Sequence, residues 1–389
     1  MSAWREALLG DVIELKRGYD LPKSARGAGP FPIVSSSGIS GSHSEAKVRG
    51  PGVVTGRYGT LGQVFYVTED FWPLNTSLYV RDFKGNNARF VALLLESMEL
   101  AQHDGAAAVP GLNRNQLHTV PVRVPDRPTQ DRIASIVQAL DDLVENNRGR
   151  VELLEEMVRA IYQEWFVRFL YPGHEDVPLV DSSLGPIPVG WRVGTVDELV
   201  TLGKETVDPS TVDPSTPAVG LEHIPRRHIT LDDWGKAGSL GSRKATFRTG
   251  DVLFGKIRPY FHKVSVAPLD GICSTDAIVL RPHGEHWGQA VLALASDDFV
   301  ANAVQTSNGT KMPRADWKVI REFPVAIPTA EIARRFSETA VGLLDHARTL
   351  TFQARSLASL RDLLLPTLVT GQIDVSHLDL DALTEAATA

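Results

Sequence analysis

Residues 133–165 read IASIVQALDDLVENNRGRVELLEEMVRAIYQEW, and this stretch constrains the arrangement of the rest of the chain. Its apolar residues recur at alternating steps of four and three, the heptad spacing of a helix that packs along a seam. One polar residue interrupts the seam, and a buried asparagine there fixes helix register at some cost in stability. The seam residues are Ile133, Val137, Leu140, Val144, Asn147, Val151, Leu154, Val158, Ile161 and Trp165.

A second heptad series follows at a constant offset of 203 residues. The first helix offers large seam residues and the second alternates them with alanine, so the two backbones can approach closely. We therefore predict that the helices pair; the alternative is two unrelated amphipathic helices, each lying on its own domain. The second series is Phe336, Ala340, Leu343, Ala347, Leu350, Ala354, Leu357, Arg361 and Leu364.

The same near-constant offset recurs outside the helices, which indicates that the chain contains an internal repeat. Each half reads as short strands separated by Gly, Pro, Ser and Asn turns, followed by one helix at 88–101 or 287–304. The four matches pair 49–57 with 248–256, Asn75-Thr76-Ser77 with Ser274-Thr275-Asp276, Leu112 and Arg114 with Met312 and Arg314, and 120–125 with 323–328.

The predicted fold class is α+β: two β-rich modules separated by two long antiparallel coiled-coil helices, with a pseudo-two-fold internal repeat. The first helix leaves module 1 and delivers the chain to module 2, so a second helix packed alongside it must run back. The expected boundaries are 1–126 for module 1, 127–171 for the first helix, 172–328 for module 2, 329–366 for the second helix and 367–389 for a C-terminal tail.

The length of the first helix suggests a spacing function. Residues 133–165 would span about 50 Å as an α-helix, and one turn of B-DNA measures about 34 Å. Such a strut would hold two similar modules on one duplex with an untouched spacer between them.

Composition excludes several other classes of protein. No apolar run is long enough to span a membrane, and the start of the chain lacks the features of a signal peptide. The single cysteine, Cys273, excludes a disulfide framework and fits a cytoplasmic location. The net charge of −7 does not by itself indicate a nucleic-acid partner.

Several motifs make the chain similar to the specificity subunits of type I restriction-modification systems, with coverage from about Trp4 to Val375. The entry to the second helix departs from that pattern, because Ala333 stands where the first repeat has Gln130. The motifs are Leu184-Gly185-Pro186-Ile187-Pro188-Val189-Gly190-Trp191, the segments 250–260 and 273–276 with their counterparts 55–62 and 73–77, the helix entry 124–134 and the late segment 363–371.

This resemblance implies target-recognition domains, spacer helices and assembly with two methyltransferase subunits and with restriction/translocase subunits on double-stranded DNA. Acidic residues of the first helix would then face a protein partner or, equally, only solvent: Asp141, Asp142, Glu145, Glu152, Glu155 and Glu156.

Loops rich in glycine and cations are the candidate DNA contacts, because backbone N–H groups, Arg and Lys suit phosphate and base edges. The alternative is that they are ordinary turns and solvated charges. In module 1 the candidates are Arg57, Tyr58, Gly59, Thr60, Asn75, Thr76, Ser77, Asn113 and Arg114. In module 2 they are Lys256, Arg258, Tyr260, Lys263, Ser274, Thr275, Lys311 and Arg314.

No sequence motif supports chemistry in this chain, so we expect a non-catalytic subunit with no cofactor and no metal. The Gly250-to-Lys256 segment mimics a P-loop but continues with Ile257 and reads as a strand. A rival interpretation is an enzyme, either a nuclease using Asp20, Glu45 and Lys47 or a methyltransferase. A third is a protein-binding scaffold.

Overall fold

The computed structural model describes residues 4–98, 100, 111–309 and 311–375. The chain divides into two compact units, Met1–Leu143 with Leu357–Ala389 (unit 1) and Val144–Ser356 (unit 2). Unit 1 contains module 1 and unit 2 contains module 2. Within the described residues, no helix has both the length and the apolar character that a bilayer crossing requires.

Unit 1 builds its β structure from nine short strands and adds short helices beside them. Its strands are β1 (Arg5–Leu8), β2 (Glu14–Arg17), β3 (Phe31–Ser35), β4 (Gly38–His43), β5 (Gly52–Gly56), β6 (Val64–Val67), β7 (Trp72–Pro73), β8 (Ser77–Asp82) and β9 (Pro121–Val124). Its short helices are α1 (Leu9–Val12), α2 (Ala88–Ser97) and α3 (Arg114–His118), and the long helix α4 spans Arg127–Tyr162.

Unit 2 repeats this plan with additional strands. Its strands are β10 (Leu179–Val180), β11 (Ile187–Pro188), β12 (Arg192–Thr195), β13 (Val200–Leu202), β14 (Thr206–Val207), β15 (Pro217–Val219), β16 (Gly235–Lys236), β17 (Lys244–Phe247), β18 (Val252–Gly255), β19 (Val264–Val266), β20 (Gly271–Cys273), β21 (Ala277–Pro282) and β22 (Pro324–Ile327). Its helices are α5 (Trp287–Leu294), α6 (Asp297–Gln305), α7 (Trp317–Ile320) and α8 (Ala330–Val369).

The two units share one topology. The four-stranded sheets have the orders β2-β8-β5-β6 and β13-β21-β18-β19. A parallel pair, β3 with β7 or β15 with β20, belongs to the second sheet of each unit. The strand that precedes the long helix pairs antiparallel with the first strand of its module, β1 with β9 and β12 with β22. Alternating and continuous apolar runs therefore form the predicted short strands, and the chain is of the α+β class.

Two of the sequence matches have the wrong register. Gly56 pairs with Ser77 and Gly255 pairs with Ala277, so the turn before the last sheet strand corresponds at an offset of 200 and not 199. Asn113 and Asp316 are the equivalent N-caps of α3 and α7, at an offset of 203. The pairing of Leu112 and Arg114 with Met312 and Arg314 was therefore incorrect. The offset therefore rises from 199 at Gly56 to 200 at Ser77 and to 203 at Asn113.

The helix boundaries also differ from those expected. The α-helical part of the first long helix ends at Tyr162 and continues as a π-helical turn, Gln163–Val167. The second extends to Val369 with Pro366 inside it. The helix predicted over 287–304 is two helices, because Ser296 caps a new helix through the amide of Phe299. Of the helix predicted over 88–101, Glu99 and Ala101 lie outside the described residues.

The predicted seam residues of the long helices are buried or half-buried. In unit 1, Ile133 and Val137 of α4 share a core with Leu365 and Leu368 of α8. In unit 2, the side chain of Phe336 is fully buried, and its ring lies 4.8 Å from that of Phe166. Each unit thus packs one end of α4 together with the opposite end of α8.

The polar seam residue Arg361 has partners inside its own unit, and Asn147 is buried. Arg361, at a seam position of α8, donates two hydrogen bonds to the carboxylate of Glu96, at 2.8 and 3.0 Å. Its Nε lies 3.4 Å from Asp141, which also pairs with Arg89. Asn147 is 6% exposed. Asp141 is therefore ion-paired within its own unit, an arrangement that neither alternative from the sequence included.

Gln130 explains why the two helix entries differ. In unit 1 its buried amide accepts from the backbone N–H of Asn87 at 2.9 Å and donates to the carbonyl of Pro125 at 3.0 Å. In unit 2 the fully buried Ala333 leaves that space apolar. A glutamine on α5, Gln289, instead donates to the carbonyl of Ala326 at 2.7 Å.

Glu155 holds α4 to module 2 and is only 3% exposed, so it faces neither a protein partner nor solvent, the two alternatives that the sequence left open. Its carboxylate accepts from the amides of Ile229 at 2.9 Å and Thr230 at 2.7 Å. Burial alone would raise the pKa of Glu155, but hydrogen bonds from His228 and these amides lower it below its ordinary value. The ionised clamp therefore stabilises unit 2 above the unfolded pKa and is lost as pH falls through the lowered one.

Replacing Glu155 by alanine should release this clamp. Each of the two buried amides left without an acceptor costs about 1–3 kcal/mol. At neutral pH we expect faster hydrogen exchange at Ile229 and Thr230 in Glu155→Ala, measured by mass spectrometry on local peptides. Glu156→Ala, at an exposed neighbouring position, is the control and should exchange like the parent; equal protection in both variants would contradict the clamp.

Candidate nucleic-acid interface

Three segments of module 1 meet beside the end of β5. The amides of Arg57 and Tyr58 donate to the carbonyl of Thr76 at 2.9 and 3.1 Å. The amide of Leu112 donates to the carbonyl of Arg57 at 3.0 Å. These backbone bonds join the loop after β5, the turn before β8 and the segment before α3 into one surface.

The equivalent segments of module 2 meet in the same way. The amide of Lys256 donates to the carbonyl of Asp276 at 3.0 Å, and the amide of Ala315 donates to the carbonyl of Lys256 at 2.9 Å. The chain therefore brings together, in each module, the loops that were selected from sequence as DNA-facing.

The first loop presents a stacked pair of side chains. The guanidinium of Arg57 lies 4.6 Å from the ring centroid of Tyr58, and one of its nitrogens donates to the tyrosine hydroxyl at 3.3 Å. Tyr58 is 39% exposed. A Cβ on Gly56 would lie 1.8 Å from the carbonyl oxygen of Thr60, so this tight loop requires glycine there. Gly59 supplies a left-handed residue with φ +81°.

The second loop is strained. Arg258 has φ +50° and ψ +61°, an unusual conformation for a residue with a side chain. Its amide donates to the carbonyl of Pro313 at 2.8 Å, which holds it there. The Nε of Arg258 is buried without a hydrogen-bond partner among the described residues. Strain and an unsatisfied donor together make Arg258 a candidate ligand contact.

Several predicted site residues are already engaged by their own chain. Ser77 is fully buried and its hydroxyl donates to the carbonyl of Leu74 at 2.8 Å, so it does not reach a surface ligand. Asn75 hydrogen-bonds Asp20. The ammonium groups of Lys256 and Lys263 donate to the carbonyls of Thr275, at 2.5 Å, and Leu221.

The remaining predicted residues lie on or close to the rim of these surfaces. Asn113 caps α3 by accepting a hydrogen bond from the amide of Asn115. Arg114, the next residue in the chain, is exposed. Lys311 and Arg314 are exposed, and the Arg314 backbone forms a bridge with Ile257. Thr76 and Ser274 are half-buried turn residues, whereas Thr275 and Tyr260 are exposed, Tyr260 to 52%.

One segment of this surface was missed from sequence. Residues 221–228 of unit 2 lie against the loop after β18, where the amide of Arg227 donates to the carbonyl of His262 at 2.8 Å. The comparison of repeats excluded it, since this stretch has no counterpart in module 1. The pair Arg226-Arg227 was its one visible signal.

The motifs that mimic an enzyme do not form one. Val252–Gly255 is a β-strand, so the P-loop-like spacing is not a phosphate cradle. Asp20 pairs with Arg17 at 3.6 Å, and Glu45 pairs with Lys47 at 3.7 Å. Over residues 4–98, 100, 111–309 and 311–375, no group of three or more His, Cys, Asp or Glu side chains is placed to hold a metal ion.

Comparison with known proteins agrees with this fold. Residues 1–156 match the family model described as the type I restriction modification DNA specificity domain. The specificity subunit of the type I restriction enzyme MjaIX from Methanocaldococcus jannaschii is 21% identical over 79% of this chain and 74% of its own length. That of EcoDI from Escherichia coli is 23% identical over 62% of this chain and 59% of its own length.

The chain is similar to type I specificity subunits. The crystal structure of a type I restriction-modification system S subunit from M. genitalium matches with a TM-score of 0.61 and 14% identity, over 95% of this chain and 96% of that one. The resemblance inferred from sequence and the mixed helix-and-sheet class are thereby confirmed. The matched relatives are specificity subunits by name, the kind of protein that the sequence resembles.

Proposed function

We propose that this specificity subunit recognises a bipartite sequence on double-stranded DNA, with one half-site for each module. The observation that carries the proposal is the duplicated three-segment surface, built on Arg57 in module 1 and Lys256 in module 2 by corresponding backbone hydrogen bonds. Two copies of one binding surface in one chain suit two half-sites. Their loops differ in sequence, so the half-sites differ too.

The chemistry of these surfaces supports DNA as the ligand. Each combines a cation with an exposed aromatic ring, Arg57 with Tyr58 and Arg258 with Tyr260. Guanidinium groups form bidentate contacts with guanine in the major groove and also bind phosphate. The mild acid excess belongs to the whole chain, whereas each of these surfaces carries cations of its own.

The packing of the long helices within each unit supports the proposal that they act as a spacer. In unit 1 the start of α4 packs with the end of α8, and in unit 2 the end of α4 packs with the start of α8. This pattern is the one expected of an antiparallel pair, which would set the spacer between half-sites.

Module-specific variants test the proposal on the complex reconstituted with methyltransferase subunits. Hydroxyl-radical footprinting should give two protected patches separated by an unprotected spacer. Arg57→Ala should weaken protection of one patch, and Arg258→Ala that of the other, because each removes a cation from one surface. A continuous footprint, or loss of both patches with either variant, would count against one half-site per module. Absence of salt-sensitive DNA binding would favour a protein scaffold.

Exposed apolar residues on the helices support docking of two methyltransferase subunits, with restriction/translocase subunits joining the same assembly. Met157 on α4 is 52% exposed and Leu360 on α8 is 43% exposed, at repeat positions 203 residues apart. Each has an exposed leucine within one helical turn, Leu153 at 60% or Leu363 at 74%. Paired apolar residues on a polar surface mark protein-binding sites.

Charge introduced at these two positions should remove the methyltransferase subunits separately. A buried aspartate opposed to an apolar partner surface is unfavourable, so Met157→Asp and Leu360→Asp should each retain one methyltransferase, and the double variant none. Native mass spectrometry of the co-purified complexes measures this, with the exposed Gln353→Asp as control. Full assembly of the double variant would rule out these sites.

A further inference from the structure

Module 2 contains an insertion that adds cations next to its candidate interface. Residues 220–251 separate β15 from β18, whereas only residues 36–51 separate β3 from β5. Part of this longer stretch, residues 221–228, is held against the loop after β18. The bonds are those from the amide of Arg227 to the carbonyl of His262, at 2.8 Å, and from the ammonium of Lys263 to the carbonyl of Leu221.

Like its neighbour Arg227, Arg226 is an exposed cation of this segment. Its guanidinium carbon lies 4.1 Å from the ring centroid of Phe261, which in turn packs edge-on against Tyr260 at 4.8 Å. Among the described residues its side chain makes no ion pair and no hydrogen bond. The ring face therefore holds Arg226 in place and leaves its N–H groups available.

Acids of the chain balance one of the two neighbouring cations and only partly balance the other. Arg227 is neutralised, because it pairs with Asp297 at 2.8 Å. Lys263 is not: burial, and then repulsion from Arg226, lower its pKa, and Glu222 only partly opposes them. Two cations held close together beside an exposed aromatic ring create a local positive potential that attracts a polyanion.

We propose that Arg226 binds a DNA backbone phosphate next to the half-site of module 2, a contact that module 1 lacks. The inference rests on the proposed function. We favour a phosphate over a base edge as the ligand because Arg226 lies beside the loop that carries Arg258 and not in it. Stacking on Phe261 fixes its guanidinium there. Such contacts position a protein on the duplex and carry no sequence information. The two modules would therefore contribute unequally to affinity.

Salt dependence of DNA binding by the methyltransferase complex tests the contact. Each phosphate contact adds about 0.9 to the slope of log K against log salt concentration. We expect Arg226→Ala and Arg226→Met to lower that slope by about one and to weaken target and unrelated duplexes by the same factor. Arg226→Met keeps an apolar stem over Phe261, which separates charge from packing. Arg226→Lys should restore most of the slope.

Arg192→Ala is the matched control, since this exposed arginine of unit 2 already pairs with Glu198 at 2.8 Å; it should leave the slope unchanged. An unaltered salt slope in Arg226→Ala, with target binding retained, would overturn the phosphate contact of Arg226 but not the proposed function. Loss of methyltransferase assembly in place of DNA affinity would also overturn it, by assigning Arg226 to a protein contact. Failure of the parent complex to bind DNA would instead refute the proposed function.

Discussion

Burial of the helix seam is the constraint on which the rest of this structure depends. Helices of 36 and 40 residues gain most of their stability from packing of an apolar face and not from helix propensity. Here that face is covered at each end by a module core: around Ile133 and Leu365 in unit 1, and around Phe336 and Phe166 in unit 2.

The sequence predicted the parts of the fold that repeat. The heptad positions predicted the seam residues, and the offset matches predicted strands with a common topology. The site loops also came together, because their positions follow from strand ends such as Gly56 and Gly255. Glycine at Gly56 is a steric requirement of the tight loop, which the sequence signals directly.

What sequence did not predict depends on side-chain contacts between distant segments. Nothing in the local pattern distinguishes Glu155 from the exposed Glu156, yet one is buried under two backbone amides and the other lies on the surface. Ser77 was predicted to contact DNA, but its hydroxyl donates a hydrogen bond to the carbonyl of Leu74. Arg226 was not predicted as a DNA contact because it lies in an insertion of module 2, and the comparison of repeats covers only residues that both modules share.

The central claim is that the paired helices set the distance between two DNA-reading modules. Insertion of one heptad into the middle of both helices preserves the seam register and lengthens each by about 10 Å, or about three base pairs at roughly 3.4 Å each. Methylation-sensitive sequencing of DNA from cells carrying the complete system measures the target. The account predicts unchanged half-sites with a spacer about three base pairs longer. A functional complex with an unchanged spacer, or with a single uninterrupted target, would contradict it.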